Sequence, residues 1–586
     1  MNYNLNNLLE EKEKKSTFSS LKSLLQLIAH EKRNLLLALF AILVNSTLNL
    51  LGPLLIGRAI DKYVQNKIYH GVLVYSGILL SMYLVGFFAS YFQTKLMGSI
   101  GQRMLFTLRN TIFKKLQSLP VAFFNANKAG DLISRVNNDT DKLNTFFSQS
   151  LMQFIGSIAT MTGAGIFLLL INIKLGIAAL IPALIILIFT QLVSPRVKKK
   201  NALNLASVGG MSAEIQESLN NFKVIVAFDR RDYFRKRFNE ANLHNYKTAI
   251  GAGLVNNIFL PIYSFFSGFA QLTVLAYGIY LISIGNFSVG LLVSYLGYAT
   301  YFYNPLRQLA SLWTTFQVAM AGWDRITKIL SMHSDISVVE NSKAKSNGSL
   351  LEFKDVHFSY EAGKEILHNI SLTLERGKTY AFVGPTGGGK TTTASIISRL
   401  YDPTKGTVLL DGVDIRSYSP EERSKKIGFI LQEPFLFTGT IKENIIYGNE
   451  LYKDYSDAAM VELIKESNLE NLLTVFENGL QTKVSSGGDN ISLGQKQIIA
   501  FVRAVLRNPE LLILDEATAN IDTMTEQLLE EILNKLPGDT TRIIIAHRLN
   551  TIENADEIYF VNGGEITRAG SFNDAINKLL KHKRVS

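Results

Sequence analysis

The chain has 586 residues, of which 47% are hydrophobic and only 19% charged, with 35 Phe, 23 Tyr and 2 Trp. Its formal net charge is +11 and it contains no cysteine, which excludes disulfides, thiolate metal sites and cysteine nucleophiles. A mean hydropathy of +0.15 is high for a soluble chain and low for one wholly inside a membrane, so disorder and collagen are excluded and one apolar part joined to one soluble part is implied.

The N-terminus, MNYNLNNLLEEKEKKSTF, has no apolar run followed by a small-residue cleavage site and does not read as a signal peptide. Leu21 to Ile28 is apolar at helical spacing, with Lys22, His30, Lys32 and Arg33 around it. That pattern fits an amphipathic helix on the inner membrane surface and equally an ordinary solvated helix. Five stretches then lack any Asp, Glu, Lys or Arg: 34–57, 71–94, 143–173, 175–195 and 248–306. A bilayer core takes about 20 apolar residues per helix. The first four stretches each hold one span and the fifth holds two, with a turn near Ser283–Asn286.

Six spans place both chain ends on one side. The segment between spans 2 and 3 carries Arg103, Arg109, Lys114, Lys115, Lys128, Arg135 and Lys142, and that between spans 4 and 5 carries Lys198, Lys199, Lys200 and Arg230 among others. The opposite loops hold fewer: Arg58, Lys62 and Lys67, then Lys174, then none. Positive loops stay cytoplasmic, so both termini are expected inside. Topology then accounts for much of the basic charge, and a nucleic-acid partner is not expected. Each inner loop reads as helix running past the membrane, turning and returning, and span 6 continues to Met332. Residues 333–348 are polar and read as a linker.

From Ser349 the pattern changes. LEFKDVHFSY alternates with period two, whereas TYAFVG, ELLILDE and RIIIAHRL are short apolar runs, as in strands buried on both faces. Helical segments separate them, so 349–586 is expected to be an α/β domain. Within it, Gly384-Pro385-Thr386-Gly387-Gly388-Gly389-Lys390-Thr391 matches G-x-x-x-x-G-K-[ST], and Thr392 follows. It lies after a strand and before a helix, the context a phosphate-binding loop requires. Its backbone N–H groups and helix N-terminus suit phosphate. Lys390 is expected to reach the β- and γ-phosphates, and Thr391 to ligate Mg²⁺. The strand Leu511–Leu514 ends in Asp515 and Glu516. Asp515 is expected to support the Mg²⁺, and Glu516 to orient and deprotonate the attacking water.

With those motifs in that order, residues 349–586 resemble the nucleotide-binding domain of an ABC transporter. The resemblance implies ATP and Mg²⁺ as cofactors and assigns further roles. Tyr360 matches the adenine-stacking aromatic. Gln432, in ILQEPFLF, matches the Q-loop that senses Mg²⁺ and the membrane domain. Ser492, Leu493, Gly494 and Gln495 match the signature, which completes the ATP site of the other subunit. Asp522 matches the D-loop, and His547 matches the switch histidine at the γ-phosphate.

The first part resembles the family's exporters, giving an α-helical membrane domain of six transmembrane helices (1–332), the linker, and an α/β P-loop ATPase domain. LPVAFFNANKAGDLISRVNNDTDKL and NNFKVIVAFDRRDYFRKRFNEAN resemble the two intracellular loops. Their coupling helices are expected near 125–130 and 216–222.

The signature departs from the usual Leu-Ser-Gly-Gly-Gln at Leu493, and TKVSSGGDN lacks the usual preceding Glu. Each ATP is sandwiched between one chain's phosphate loop and the other chain's signature. A deviant signature beside an intact Glu516 and His547 therefore resembles the catalytic half of a heterodimeric bacterial multidrug exporter, favoured over a homodimer. Aromatic-rich, uncharged spans 2, 5 and 6 suit an amphipathic small-molecule cargo moved out of the cytoplasm by alternating access. A lipid or peptide exporter working as a homodimer is the alternative. A nucleotide-gated channel or sensor is a remoter one, against which the intact Glu516 argues.

Overall fold

A computed structural model describes residues 3–5, 31–334, 339, 348–360, 363–466, 469, 475–515, 523–534, 536–545, 554–570 and 574. The expected amphipathic segment 21–28 and most of the linker lie outside the described residues. By internal contacts the chain divides into two units, 11–117 with 130–331, and 1–10 and 118–129 with 332–586.

In chain order the first half includes α1 (Lys32–Ala59), α2 (Tyr69–Gln117), the short α3 (Val121–Ala126), α4 (Leu151–Ile171, the end of a helical run that starts at Ala129), α5 (Ile173–Asn220), the short α6 (Phe222–Ala227), α7 (Arg231–Asn257), α8 (Phe259–Ser283) and α9 (Val289–Leu330). Among the described residues, five helical stretches are long and apolar enough to cross a membrane: Lys32–Val64, Tyr69–Gln117, Ala129–Ile171, Ile173–Asn220 and Arg231–Ser283. Along α2, Leu80, Phe87, Phe88, Tyr91 and Phe92 are all exposed, as suits a surface whose solvent is lipid.

The sixth expected span, within α9, is not among those five. Its tyrosines, with Asn304 and Pro305, reduce its apolar character. The structure shows what those hydroxyls do. Tyr295 donates to Leu168 O (2.6 Å), Tyr298 to Leu50 O (2.8 Å), Tyr303 to Ala179 O (2.7 Å) and Ser294 to Pro53 O (2.7 Å). Tyr295 and Tyr298 are fully buried. Polar groups satisfied internally in this way tie α9 to α1, α4 and α5 without exposing a donor to hydrocarbon.

Near the N-terminus of α9 the Asp61 carboxylate accepts from Ser288 Oγ (2.5 Å) and from the Gly290 N–H (2.8 Å). Beside it the backbones of α1 and α9 touch: a Cβ on Gly290 would lie 2.0 Å from Gly57 O. Small residues permit such approach. Gly290→Ala is therefore expected to destabilise the protein by about 1–3 kcal/mol, read as a lowered unfolding temperature in detergent. Gly98→Ala, on an α2 position with open space around it, should not do so.

Near the other end of α9 the buried Asp139 pairs with Arg325 and with Lys142 (3.0 Å), while Arg135 Nη1 donates to Arg325 O (3.1 Å). The turns between helices differ from expectation in place. The helix before the first turn stops ahead of Pro120, whose extended backbone starts α3; Asn127, also extended, ends it. The first short helix thus lies at 121–126 rather than 125–130. At the second turn α5 continues through Asn220, and Asn221, off helical geometry, separates it from α6. Residues 216–220 finish the long helix, and the short one is Phe222–Ala227.

The other unit carries β1 (Ser349–Phe358), β2 (Leu367–Glu375), β3 (Thr379–Val383), α10 (Lys390–Ile397), β4 (Lys405–Leu410), β5 (Val413–Asp414), β6 (Ile427–Ile430), β7 (Gly439–Thr440), β8 (Lys483–Val484), α11 (Leu493–Val505), β9 (Leu511–Asp515), α12 (Thr523–Asn534), β10 (Thr541–Ile545), β11 (Glu557–Asn562) and β12 (Glu565–Arg568). The main sheet has the order β12-β11-β3-β10-β9-β6, parallel except for β12. A second, antiparallel sheet has the order β2-β1-β4-β5. Strands β3, β9 and β10 are almost wholly buried, which explains their unbroken apolar runs.

Candidate ATP site

In an open parallel sheet, ligands bind beyond the carboxyl ends of the strands. Here Ile545 pairs with both Phe382 and Asp515, and Ile430 pairs with Leu514. The phosphate loop after β3, Asp515 at the end of β9 and the Gln432 loop after β6 therefore leave the sheet at one edge.

The loop's shape depends on its glycines. Gly387 and Gly389 have φ of +81° and +114°, which favour a residue without Cβ. A Cβ on Gly384 would lie 1.9 Å from Val561 O, and one on Gly388 2.6 Å from the same atom. Pro385 and Thr386 complete the turn. Lys390, 5% exposed, donates from Nζ to Gly384 O (2.9 Å) and Pro385 O (3.0 Å). Its ammonium is thus held inside the curl of the loop.

Thr391 Oγ1 lies 3.3 Å from Asp515 Oδ1. The expected Mg²⁺ pair is therefore brought together across 124 residues of sequence. A hydroxyl beside a carboxylate is the hard-oxygen set Mg²⁺ takes when phosphates and water supply the rest. Tyr360 is half exposed, and its hydroxyl donates to Thr392 Oγ1 (3.2 Å), which places an open aromatic ring beside the first turn of α10. Gln432 is exposed after β6.

Ser492 caps α11: its Oγ accepts from Gln495 N–H (3.2 Å) while Gln495 Oε1 accepts from Ser492 N–H (3.0 Å). This reciprocal box gives both signature residues a local structural job. Leu493 is the first residue of α11 and is 41% exposed. Gly494 faces Thr525 of α12, 3.1 Å from where a Cβ would sit. Glu516, Asp522 and His547 lie outside the described residues; β9 and β10 end one and two residues before Glu516 and His547.

Two sets of residues at this site are not singled out by motif. Arg503 on α11 donates to Asn444 O (2.7 Å) and Phe435 O (3.3 Å), and the buried Asn444 pairs with Phe437 N–H and C=O (both 2.8 Å). The loop that follows Gln432 is thus fastened to the helix that begins at the signature. Burial lowers the Arg503 pKa, yet the guanidinium stays charged at any physiological pH. The second set is Tyr401 with Asn125, bonded at 2.6 Å. Burial raises the Tyr401 phenol above its ordinary value, and the Asn125 bond opposes this. Their only sequence signal is an aromatic directly before Asp402-Pro403 and an asparagine at a helix end.

Comparison with known proteins agrees with this geometry. The family model described as the ABC transporter transmembrane region matches residues 35–306, and that described as ABC transporter matches 367–519. An uncharacterized ABC transporter ATP-binding protein of Bacillus subtilis is 33% identical over 566 residues, 96% of this chain and 93% of the relative. A fatty acid ABC transporter ATP-binding/permease protein of Mycobacterium tuberculosis is 33% identical over 494 residues, covering 84% and 78%. A multidrug resistance ABC transporter ATP-binding and permease protein of Lactococcus lactis is 30% identical over 569 residues, covering 95% and 94%.

Proposed function

Because the chain belongs to the ABC transporter family, with the exporter arrangement of membrane helices and ATPase fused in one polypeptide, we propose that it drives hydrophobic or amphipathic compounds out across a bacterial cytoplasmic membrane. Both termini and the ATPase lie on the cytoplasmic side in this reading. The observation that carries it is the meeting of Lys390, Thr391 and Asp515 at one sheet edge in a chain whose spans hold almost no charge. Intramembrane carboxylates are the usual mark of ion-coupled transport, so ATP is the energy source that fits.

In this mechanism Lys390 and the loop N–H groups hold the phosphates, and Thr391, Asp515 and Gln432 would hold Mg²⁺. Held there, Mg²⁺ would supply positive charge to offset that developing on the phosphates. Glu516 takes the proton of the attacking water, and His547 contacts the γ-phosphate. Two ATP close the paired ATPase domains, the intracellular turns carry that closure to the membrane helices, and hydrolysis resets the cycle.

ABC exporters act as dimers, and we read the partner as a different half-transporter. Leu493 supports this, since its exposed side chain stands where the backbone must approach a partner's γ-phosphate. On α6 and just beyond it, Phe222, Val224 and Phe228 are more than half exposed, a face suited to cover by the partner's ATPase domain. The intact mass of the solubilised complex tests it. One 65.3 kDa copy with a different chain of similar size is expected; twice 65.3 kDa means a homodimer in which Leu493 is tolerated.

One feature favours a second reading, in which the cargo is a fatty acyl amphipath, as the name of the mycobacterial relative says of that protein. An apolar cavity of about 720 Å³ opens among α4, α5, α8 and α9, lined by Met161, Leu184, Tyr263, Phe302 and Leu306 among others, with the Thr190–Tyr263 hydroxyl pair (3.3 Å) on its wall. That volume lies within the range of about 300–1,000 Å³ typical of ligand pockets. Under this reading oleate competes with a hydrophobic dye for ATP-driven uptake into inside-out vesicles.

A further inference from the structure

The short helix α3 has six residues, too few to hold helical shape alone, because nucleation consumes most of what its hydrogen bonds return. Tertiary contacts must hold it, and they come from two directions. On one side is the N-terminus. Asn127 Nδ2 donates to Tyr3 O (2.8 Å) and Phe123 O (2.7 Å), and its Oδ1 accepts from Leu5 N–H (3.0 Å). Tyr3, Leu5 and Phe123 are buried, the Tyr3 ring stands edge-on to Phe123, and the Tyr3 hydroxyl donates to His333 O (3.3 Å).

On the other side is the ATP site. Asn125 Nδ2 donates to the Tyr401 hydroxyl (2.6 Å). The Tyr401 ring stands edge-on to Tyr360, centroids 5.0 Å apart, and packs on Phe358 at 5.5 Å; Phe358 is itself edge-on to Tyr360 at 4.8 Å. Tyr360 is therefore boxed by two rings and by its bond to Thr392, with part of its surface left open.

We propose that Tyr401 is a positioning residue for the nucleotide base: held by Asn125 of α3, which the N-terminal residues Tyr3–Leu5 clamp through Asn127, it fixes the Tyr360 ring in the orientation that receives a purine. The inference rests on the reading of Tyr360 as the base-stacking aromatic. It adds that the first intracellular turn and the extreme N-terminus set affinity for the base and not for the phosphates. Stacking depends on ring orientation, so loosening the box weakens base binding while the phosphate loop, supported by β3 and Val561, is untouched.

The test uses the full transporter with the subunit it assembles with, and compares Asn125→Ala, Tyr401→Phe, the double variant and Tyr360→Leu. Each of the first two is expected to raise the KM for ATP about threefold or more, the size of one lost hydrogen bond. Turnover at saturating ATP should stay within about twofold of wild type. The double variant should be no worse than either single, because both remove the same bond. Binding of inorganic tripolyphosphate, which has no base, should not change.

An unchanged KM in Asn125→Ala and Tyr401→Phe while Tyr360→Leu raises it overturns the proposal and leaves the base reading standing. So does an additive double variant, or equal weakening of ATP and tripolyphosphate. An unchanged KM in Tyr360→Leu overturns the base reading itself. Tyr401→Phe removes a single oxygen, so the comparison survives even if Asn125→Ala fails to fold.

Discussion

Replacing Lys390 with alanine is expected to reduce ATP turnover by about 10²–10³-fold, the cost of removing one preorganised charge donor from a reaction whose charge develops on transferring oxygens. The side chain is 5% exposed and turned into its own loop by bonds to Gly384 O and Pro385 O. In the proposed role the ammonium meets phosphate in the ground state and in the transition state, so both affinity and rate should fall. Lys390→Arg should not rescue activity. A planar, forked guanidinium does not reproduce the compact ammonium that donates to the Gly384 and Pro385 carbonyls. The measurement is steady-state phosphate release with nucleotide binding in parallel.

Glu516→Gln should have an effect of comparable size and different form. A general base contributes about 10²–10⁴-fold to rate, and the amide keeps the shape of the carboxylate while removing the proton acceptor. Turnover should fall at least about 100-fold while ATP still binds, leaving the ATPase domains closed on unhydrolysed nucleotide. Glu516 follows Asp515, the last residue of β9, whose carboxylate already faces Thr391. Nucleotide retained through gel filtration reads this trapping. Turnover within a few-fold of wild type would remove Glu516 from its assigned role.

Much of the ATPase half was legible because its chemistry is local. The run Thr379–Val383, the glycine loop and the helix from Lys390 sit within 20 residues, and the apolar run ending at Asp515 announces a strand buried on both faces. The sheet order was not legible. That β10 lies between β3 and β9 depends on which buried faces fit together at long sequence separation, and no periodicity records it.

In the membrane half, charge-free stretches mark the helices, yet the tyrosines of α9 look too polar for hydrocarbon until their hydroxyls are seen on Leu168, Leu50 and Ala179 carbonyls. The two short helices were displaced by several residues because Pro120, Asn127 and Asn221 stop helices through backbone geometry that many loop residues could adopt. Tyr3 and Leu5 carry no pattern at all, and Asn125 none beyond its place in a short loop helix. Their roles come only from partners far away in sequence.

In the proposed function, ATP hydrolysis by this chain moves an apolar compound across a bilayer. Its most direct test is ATP-dependent accumulation of a hydrophobic dye in proteoliposomes with the ATPase domains facing outward. Uptake against the dye gradient, lost in Glu516→Gln, is the predicted result. Brisk ATP turnover without uptake, or dye movement only down its gradient whether or not ATP is hydrolysed, would contradict it.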